Sequence, residues 1–183
     1  MACILTSGRG LMCKDQIGGA RYVFFANFDP ALVHQFTVTD KVITAAPVMT
    51  AYRYDLQEGA GGVVSTINAS VENGTRFYEQ VIDVSFNKLD PAMQAEMDLL
   101  SAAKMWVWIE DGNKNVILYG YENGCDVTGG TIDTGKARGD KTGYALTVTG
   151  KERLSAPFAT PYTDFAFDTL PEVTVDPPFP VIP

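Results

Sequence analysis

Residues 117–153, ILYGYENGCDVTGGTIDTGKARGDKTGYALTVTGKER, decide the fold class of this chain. Seven glycines follow Gly120 in this stretch, at positions 124, 129, 130, 135, 139, 143 and 150. They separate short runs rich in β-branched and aromatic residues, and none of them opens onto a helical pattern. Glycines between such runs mark turns and strand irregularities. The stretch therefore predicts strands and turns, and it points to architecture and assembly rather than to catalysis.

Length, composition and charge limit the class of protein to which the chain can belong. Its 183 residues are enough for one domain with a substantial core, and 46% hydrophobic with 20% charged residues is ordinary for a globular protein. The formal net charge of −8 opposes binding to nucleic acid and to anionic lipid. No run reaches the roughly 18 apolar residues of a membrane helix. The N-terminus also lacks a basic segment followed by an apolar one, so we expect no secretion signal.

Runs of β-branched and aromatic residues predict the strands. They are 22–28, 34–39, 41–44, 50–56, 63–70, 76–86, 105–109 and 115–119. Asn73-Gly74 favours a two-residue hairpin turn between two of the longest runs, because both residues accept positive φ. We expect a long hairpin there that reaches beyond the body of the domain. A second hairpin is expected around Asp111-Gly112.

One helix is predicted over about residues 90–104. Asp90 is a favourable N-cap, Pro91 suits the first helical position, and Lys104 suits the last turn. The apolar face is formed by Met93, Met97, Leu99, Leu100 and Ala103. A pair of methionines can serve as an adaptable binding stripe, but we favour packing against the core.

The chain divides into three parts by composition. Residues 1–20 are small and glycine-rich and predict an N-terminal arm, while residues 21–154 form the predicted β-barrel domain. Residues 155–183 hold seven of the ten prolines and four acids without a base, so half of the net charge lies there. Proline removes a backbone donor and prefers extended conformations. Because this segment is also rich in aromatic residues, we expect an acidic C-terminal arm that docks on a neighbouring subunit.

Few residues are candidates for catalysis. His34 is the only histidine, and no Gly-x-Ser-x-Gly motif accompanies it, so neither a catalytic triad nor a histidine-rich metal site is favoured. Gly8-Arg9-Gly10 and Gly129-Gly130 lack the Gly-Lys-Ser/Thr that opens a phosphate-binding helix. Gly135-Lys136 precedes Ala137, which has no hydroxyl. We predict no catalytic or cofactor-binding residue, and no enzyme.

Cysteine and carboxylate patterns do not indicate a metal site. The spacings of Cys3, Cys13 and Cys125 match no paired zinc pattern, and we expect all three to be reduced and packed. A disulfide between Cys3 and Cys13 would fit only an oxidising compartment. The acidic pairs are Glu110 with Asp111 and Asp164 with Asp168, and neither belongs to a calcium-loop pattern. We expect solvated charge there.

Three features are candidates for recognition. Trp106 and Trp108 share one side of a predicted strand and could line a sugar site, but a core anchor packed on the helix is favoured. Arg138-Gly139-Asp140 is a tripeptide that adhesion receptors recognise, although its residues are ordinary in turns. The sequons at Asn68 and Asn73 allow glycosylation only in a secretory host.

The order of these elements resembles one known family. Paired strands, one helix, the run from Trp106 to Tyr119 and the glycine-spaced strands up to Thr149 are similar to the tail-tube family of tailed bacteriophages, which is related to the type VI secretion tube. The stretches 127–131, 134–135, 138–140, 143–144 and 146–150 resemble phage tail and neck proteins. The resemblance covers about residues 60–153. It implies a mainly β fold, a β-sandwich or barrel with one flanking α-helix, and extended N- and C-terminal arms.

The resemblance also implies a structural protein of the virion. The expected function is a ring of roughly six or twelve copies in the tail tube or neck, built in the host bacterial cytoplasm with other virion proteins. An acidic wall would let DNA pass without specific binding, because it repels phosphates. The alternative is a capsid-decorating or host-receptor-binding module that uses Trp106, Trp108 and residues 138–140. No membrane partner and no cofactor are expected.

Overall fold

Strands dominate the protein, whose computed structural model describes residues 8–11, 14–162, 164 and 166–178. The strands are Ala20–Asn27 (β1), Thr37–Thr39 (β2), Val42–Ala45 (β3), Met49–Asp55 (β4), Gly61–Ser70 (β5), Thr75–Asn87 (β6), Met105–Asp111 (β7), Val116–Tyr119 (β8), Cys125–Asp133 (β9), Gly143–Glu152 (β10), Phe158–Ala159 (β11) and Val173–Asp176 (β12). The α-helix α1 spans Pro91–Ala102, and a short 3-10 turn covers Val33–Gln35. The predicted mainly β fold with one flanking helix is confirmed.

Strand β7 lies at the centre of one branched, curled sheet. β1 pairs with it antiparallel, from Ala20 opposite Asp111 to Asn27 opposite Met105, and β4 and β12 continue on that side. Because a strand has only two edges, β8 and β9 share the other edge of β7, where β9 pairs at Met105. Two branches diverge from that edge. β8, β11, β3 and β2 form one of them, and β9, β10, β6 and β5 form the other.

The central strands separate two hydrophobic cores. Phe24 and Trp108 face the first core, where the Phe167 ring packs edge-on against both, at centroid distances of 5.0 and 5.1 Å. Val23 and Val107 face the second core, which α1, β6 and β10 close. Since successive side chains of a strand point to opposite faces, β1 and β7 serve both cores at once.

The helix begins as the sequence predicts and ends earlier. The Asp90 carboxylate caps it by accepting a hydrogen bond from the Met93 N–H at 3.4 Å. Because α1 ends at residue 102, Lys104 lies outside it rather than in its last turn. Of the predicted apolar face, Met97 is buried in the second core, whereas Leu99 is 64% exposed. The helix therefore covers the core with only part of that face.

Two long strands, β5 and β6, form the predicted long hairpin. β5 and β6 pair antiparallel without a register shift, ending at Ser70 opposite Thr75. The turn between them has four residues, 71–74, of which Gly74 has a positive φ of 62°. A four-residue turn thus replaces the two-residue turn expected from Asn73-Gly74. The second predicted hairpin, β7 and β8, is also present.

The C-terminal segment packs on its own domain. β11 pairs with β3 and β8, and β12 pairs in parallel with β4. Its described residues include the buried Pro157, Ala159, Ala166, Phe167, Leu170 and Val173. The domain therefore continues past the boundary expected at residue 154. The aromatic character that suggested docking on a neighbour serves this chain's own first core.

The N-terminal arm is described only in part, since residues 1–7 and 12–13 lie outside the described residues. The described residues before β1 are exposed. They are tied to the turn between β7 and β8 by hydrogen bonds, one of which runs from the Gly112 N–H to the Gly19 carbonyl at 3.1 Å. There the Ile17 N–H donates to Asn113 Oδ1 at 2.9 Å, and Asn113 Nδ2 donates to the Ile17 carbonyl at 2.8 Å.

Candidate functional site

Strand β5 is a free edge of the sheet. Among the described strands it pairs only with β6 and ends its branch. Its sequence, Gly61–Ser70, contains no charged residue and no proline, and its register has no bulge. Charges, prolines and bulges are the devices that normally protect an edge strand from pairing with another chain. β5, called the free edge below, therefore presents unprotected backbone donors and acceptors.

Exposed apolar side chains accompany the free edge. Val64 and Ile67 on β5 are 64% and 60% exposed, Val71 in the turn is 99% exposed, and Phe77 on β6 is 38% exposed. Val64 and Ile67 lie on opposite faces, because they are three positions apart on a strand. Single exposed apolar residues are normal on a protein surface, whereas contiguous exposed apolar patches mark interaction sites.

The end of the hairpin projects past its neighbour. β10 pairs with β6 only as far as Glu152 opposite Tyr78. Beside residues 68–77, called the hairpin tip below, the described part of the chain therefore places no third strand. This is the projection that the sequence predicted, and it places Val71 at the outermost turn.

An apolar cavity opens beside α1. It has a volume of about 220 Å³ and lies between the helix, β4 and the ends of β1 and β7. Its apolar lining includes Phe25, Leu99, Leu100, Ala103 and Met105. Tyr54 and Glu96 also line it. Burial, helped by the nearby Glu96 carboxylate, raises the pKa of Tyr54 to about 12, so the phenol is uncharged at neutral pH.

The two indoles lie inside the protein. Trp106 and Trp108 are both 0% exposed, which rules out a sugar site on their ring faces. They pack in the first core, for example Trp106 against Phe36 at 5.3 Å, on the side of β7 away from α1. They are core anchors as favoured, but the expected packing on the helix is wrong: Trp106 packs on Phe28 and Phe36, and Trp108 packs on Phe36 and Phe167.

The Arg138-Gly139-Asp140 tripeptide lies in the exposed loop 134–142, as expected. The Asp140 carboxylate accepts hydrogen bonds from the backbone N–H groups of Lys136 at 2.9 Å and Ala137 at 2.7 Å. These two bonds hold the pKa of that carboxyl below its usual value. The aspartate thus stabilises its own loop, and this local role accounts for its presence.

The paired glycines, Gly129-Gly130, lie within β9. Gly130 stands opposite Leu146, and a Cβ at Gly130 would come within 3.0 Å of both the Leu146 side chain and the Ala145 carbonyl oxygen. The register shifts beside Gly129, leaving Thr128 as an extra residue in a β-bulge. Close strand packing accounts for Gly130, and Gly129 lies beside the bulge within the strand, so the pair is not a phosphate cradle.

The remaining residues that were candidates for catalysis or metal binding do not form a common site in the described part of the chain. His34 is exposed, and Cys125 is buried with its pKa raised to about 12 by burial. Cys3 and Cys13 lie outside the described residues. In the part of the chain that the structure describes, no group of three His, Cys, Asp or Glu side chains could hold a metal ion. Nor does any described helix have the length and apolar character needed to span a bilayer.

Glu110 is a buried acid, whereas the sequence predicted that Glu110 and Asp111 are both solvated. Glu110 is 2% exposed, and the Tyr162 O–H donates to its Oε1 at 2.7 Å. Burial raises the pKa of Glu110, although the hydrogen bond from Tyr162 acts in the opposite direction. Asp111 holds the β7–β8 turn by accepting from the Asn115 N–H at 2.8 Å. Both acids are structural, and Glu110 ties β7 to the C-terminal segment.

Comparison of this chain with protein-family models, with curated proteins and with solved structures finds no match. The free edge, the hairpin tip and the cavity beside α1 are therefore the basis for assigning a function.

Proposed function

We propose that this protein is a structural component of a tailed bacteriophage virion, which forms a ring of the tail tube or neck and conducts DNA. The observation that carries the proposal is the free edge β5, a regular ten-residue strand without any charged residue. Such an edge in a lone subunit is a hazard for uncontrolled aggregation. Pairing each free edge with the next copy in a closed ring removes it.

The charge of the protein supports a conduit for DNA. The net charge is −8, and acids also lie on the outer face of the sheet branch that contains the free edge. Glu79 and Asp83 are on that face of β6, next to Thr147 on β10, whose hydroxyl donates to the Asp83 carboxylate at 2.6 Å. Lys151 is 3.5 Å from Glu79 and balances one acid. A small-residue, acidic surface repels phosphates and lets DNA slide past.

The alternative, a capsid-decorating or host-receptor-binding module, has less support. It relied on the indoles of Trp106 and Trp108, which are buried, and on the loop around Asp140, whose carboxylate is held by its own backbone. The proposed location is accordingly the virion, in its tail or head-to-tail region, after assembly beside other tail or neck proteins in the bacterial cytoplasm.

Sedimentation velocity and negative-stain electron microscopy of the purified full chain test the proposal. We expect closed rings of uniform size. Ile67→Lys should prevent them, because a charge on the free edge opposes strand pairing. Leu154→Lys is the matched control, since Leu154 is 41% exposed but lies outside the strands. A protein that stays monomeric at all concentrations, without rings in the images, would contradict the proposal.

A further inference from the structure

We propose that Asn73, in the turn at the hairpin tip, is a site of spontaneous deamidation, which converts its side-chain amide into a carboxylate. The tripeptide Glu-Asn-Gly occurs twice in the chain, at 72–74 and at 122–124. The two copies have the same residues, but the fold leaves the first able to react and restrains the second. The modification needs only water, so it does not depend on the proposed function.

The reaction uses the backbone nitrogen of the glycine that follows the asparagine. The Gly74 nitrogen attacks Cγ of Asn73, where a C–N bond forms and the Cγ–Nδ2 bond breaks. Ammonia leaves and takes the proton of the Gly74 N–H. Water then opens the succinimide ring at one of its two carbonyl carbons, which gives aspartate or isoaspartate. Nothing is oxidised or reduced. Glycine favours the attack because it has no Cβ to shield its nitrogen.

The turn at Asn73 is open to this reaction. Residues 71–74 join β5 to β6, and all four are exposed. The Asn73 N–H donates to Ser70 Oγ at 3.3 Å, whereas neither the Asn73 side-chain amide nor the Gly74 N–H has a hydrogen-bond partner among the described residues. A Cβ at Gly74 would meet no atom within 4 Å. The two reacting groups can therefore approach each other without breaking a hydrogen bond.

The second copy of the tripeptide is restrained at both reacting groups. Asn123 is exposed, yet its Nδ2 donates to the Lys151 carbonyl at 3.0 Å and to the Glu152 carboxylate at 3.3 Å. The Gly124 N–H, which would supply the nucleophile, donates to the Gly120 carbonyl at 2.9 Å. Gly124 is also buried. Reaction at Asn123 therefore requires local opening of the fold, which costs free energy.

Deamidation changes both the charge and the backbone of the turn. Glu72 and Arg76 are the charged residues of the hairpin tip, and their formal charges cancel. A new carboxylate at position 73 leaves the tip with a net negative charge, next to Glu72. In isoaspartate the main chain passes through the former side chain, which lengthens the turn between β5 and β6 by one carbon atom.

Timed incubation of the purified full chain in warm, mildly alkaline buffer tests the proposal. Tryptic peptides 54–76 and 115–136 separate the two tripeptides, and fragmentation in the mass spectrometer locates the modified residue. We expect Asn73 to react at least about tenfold faster than Asn123, because Asn123 must first be released by local opening. The same chain in urea is the matched control, in which the two should react at similar rates. Equal rates in the folded chain, or no conversion of Asn73, would overturn the inference.

Labelling by an isoaspartyl methyltransferase gives a second readout. Incubated wild-type chain should accept methyl groups, and Asn73→Gln should lose most of this label, because ring closure from the longer glutamine side chain is slow. Asn68→Gln is the matched control on the same hairpin, and it should keep the label, since Asn68 is followed by alanine. If the label of Asn73→Gln is as strong as that of wild type, the modification lies elsewhere and the inference fails.

Discussion

Glu110 is a buried acid that joins two distant parts of the chain. It lies on the central strand β7, and its partner Tyr162 lies in the C-terminal segment, with 2.7 Å between the phenol oxygen and Oε1. Burying an ionised carboxylate costs free energy unless its partners compensate. Burial is the largest influence on this group and raises its pKa, so the charged form is the less favourable one in the folded protein.

Glu110→Gln should therefore change how stability depends on pH. Because the folded-state pKa lies above the ordinary value of 4.5, the wild-type protein loses stability as the pH rises from 4.5 through the raised pKa. Glutamine still accepts the Tyr162 hydrogen bond but carries no charge. We expect the variant to lack this part of the dependence and to be at least as stable as wild type at neutral pH. Urea unfolding at several pH values, followed by tryptophan fluorescence, measures this.

The matched control is Glu58→Gln, which neutralises an exposed acid. This substitution should change the free energy of unfolding little at any pH. A stability difference between Glu110→Gln and wild type that stays constant across the range would argue against a raised pKa.

Gly143 is a second position at which a small change, the addition of a Cβ atom, should affect stability. A Cβ there would lie 2.0 Å from the Phe86 carbonyl oxygen, a backbone atom that cannot move aside alone. Gly143→Ala should destabilise the protein by about 1–3 kcal/mol in chemical denaturation. Gly129→Ala is the comparison, because its nearest neighbour would be the Thr147 Cβ at 3.9 Å. The Gly129→Ala variant should leave the free energy of unfolding unchanged or raise it by roughly 0.5–1 kcal/mol. Equal effects of the two substitutions would contradict this account.

At the scale of elements, local patterns predicted the helix and most strands, but they predicted neither β11 and β12 nor which strands pair. The pattern over 76–86 predicted β6 to within one residue at each end, because strand alternation is a local property. The status of β5 as a free edge depends on the pairing of β6 with β10, which are distant in sequence. Periodicity also placed Leu99 on the covered face of α1, and only the packing shows it exposed beside a cavity.

Asp90→Ala tests the start of α1. The Asp90 carboxylate accepts from the Met93 N–H, and losing an N-cap typically costs about 1 kcal/mol. We expect that loss in thermal or urea unfolding. Asp98→Ala removes an exposed acid from the same helix and should cost less, since Asp98 is not the cap. If both variants lose the same stability, the effect is one of charge and not of capping.

At the scale of the whole molecule, the C-terminal segment is the largest departure from the prediction. Seven prolines and an acidic composition suggested an arm, but the described prolines fall outside β11 and β12. Phe167 and Leu170, which lie between β11 and β12 in the chain, pack in the first core. Composition reports the average of a segment, whereas packing depends on which few side chains reach the core, and that information is not local.

Leu170→Ala distinguishes a core segment from an arm. Leu170 is 0% exposed, and removing a buried leucine side chain costs about 2–5 kcal/mol. We expect a loss of that size in the stability of the isolated subunit. Leu154→Ala, at a residue that is 41% exposed, should cost far less. An unchanged subunit with altered assembly would instead indicate that the segment acts between copies.

The two cores share the strands β1 and β7, but their residues are synthesised at different times. Residues 156–176 follow every other core residue in the chain, so the ribosome makes them after the hairpin and the helix. Until they arrive, the first core lacks Phe167 and Leu170, and its packing on the central strands is incomplete. Domains fold as units during synthesis. We therefore expect the scaffold that holds the free edge to be complete only after residues 156–176 have been made, and under the proposed function the assembly of rings would wait until then.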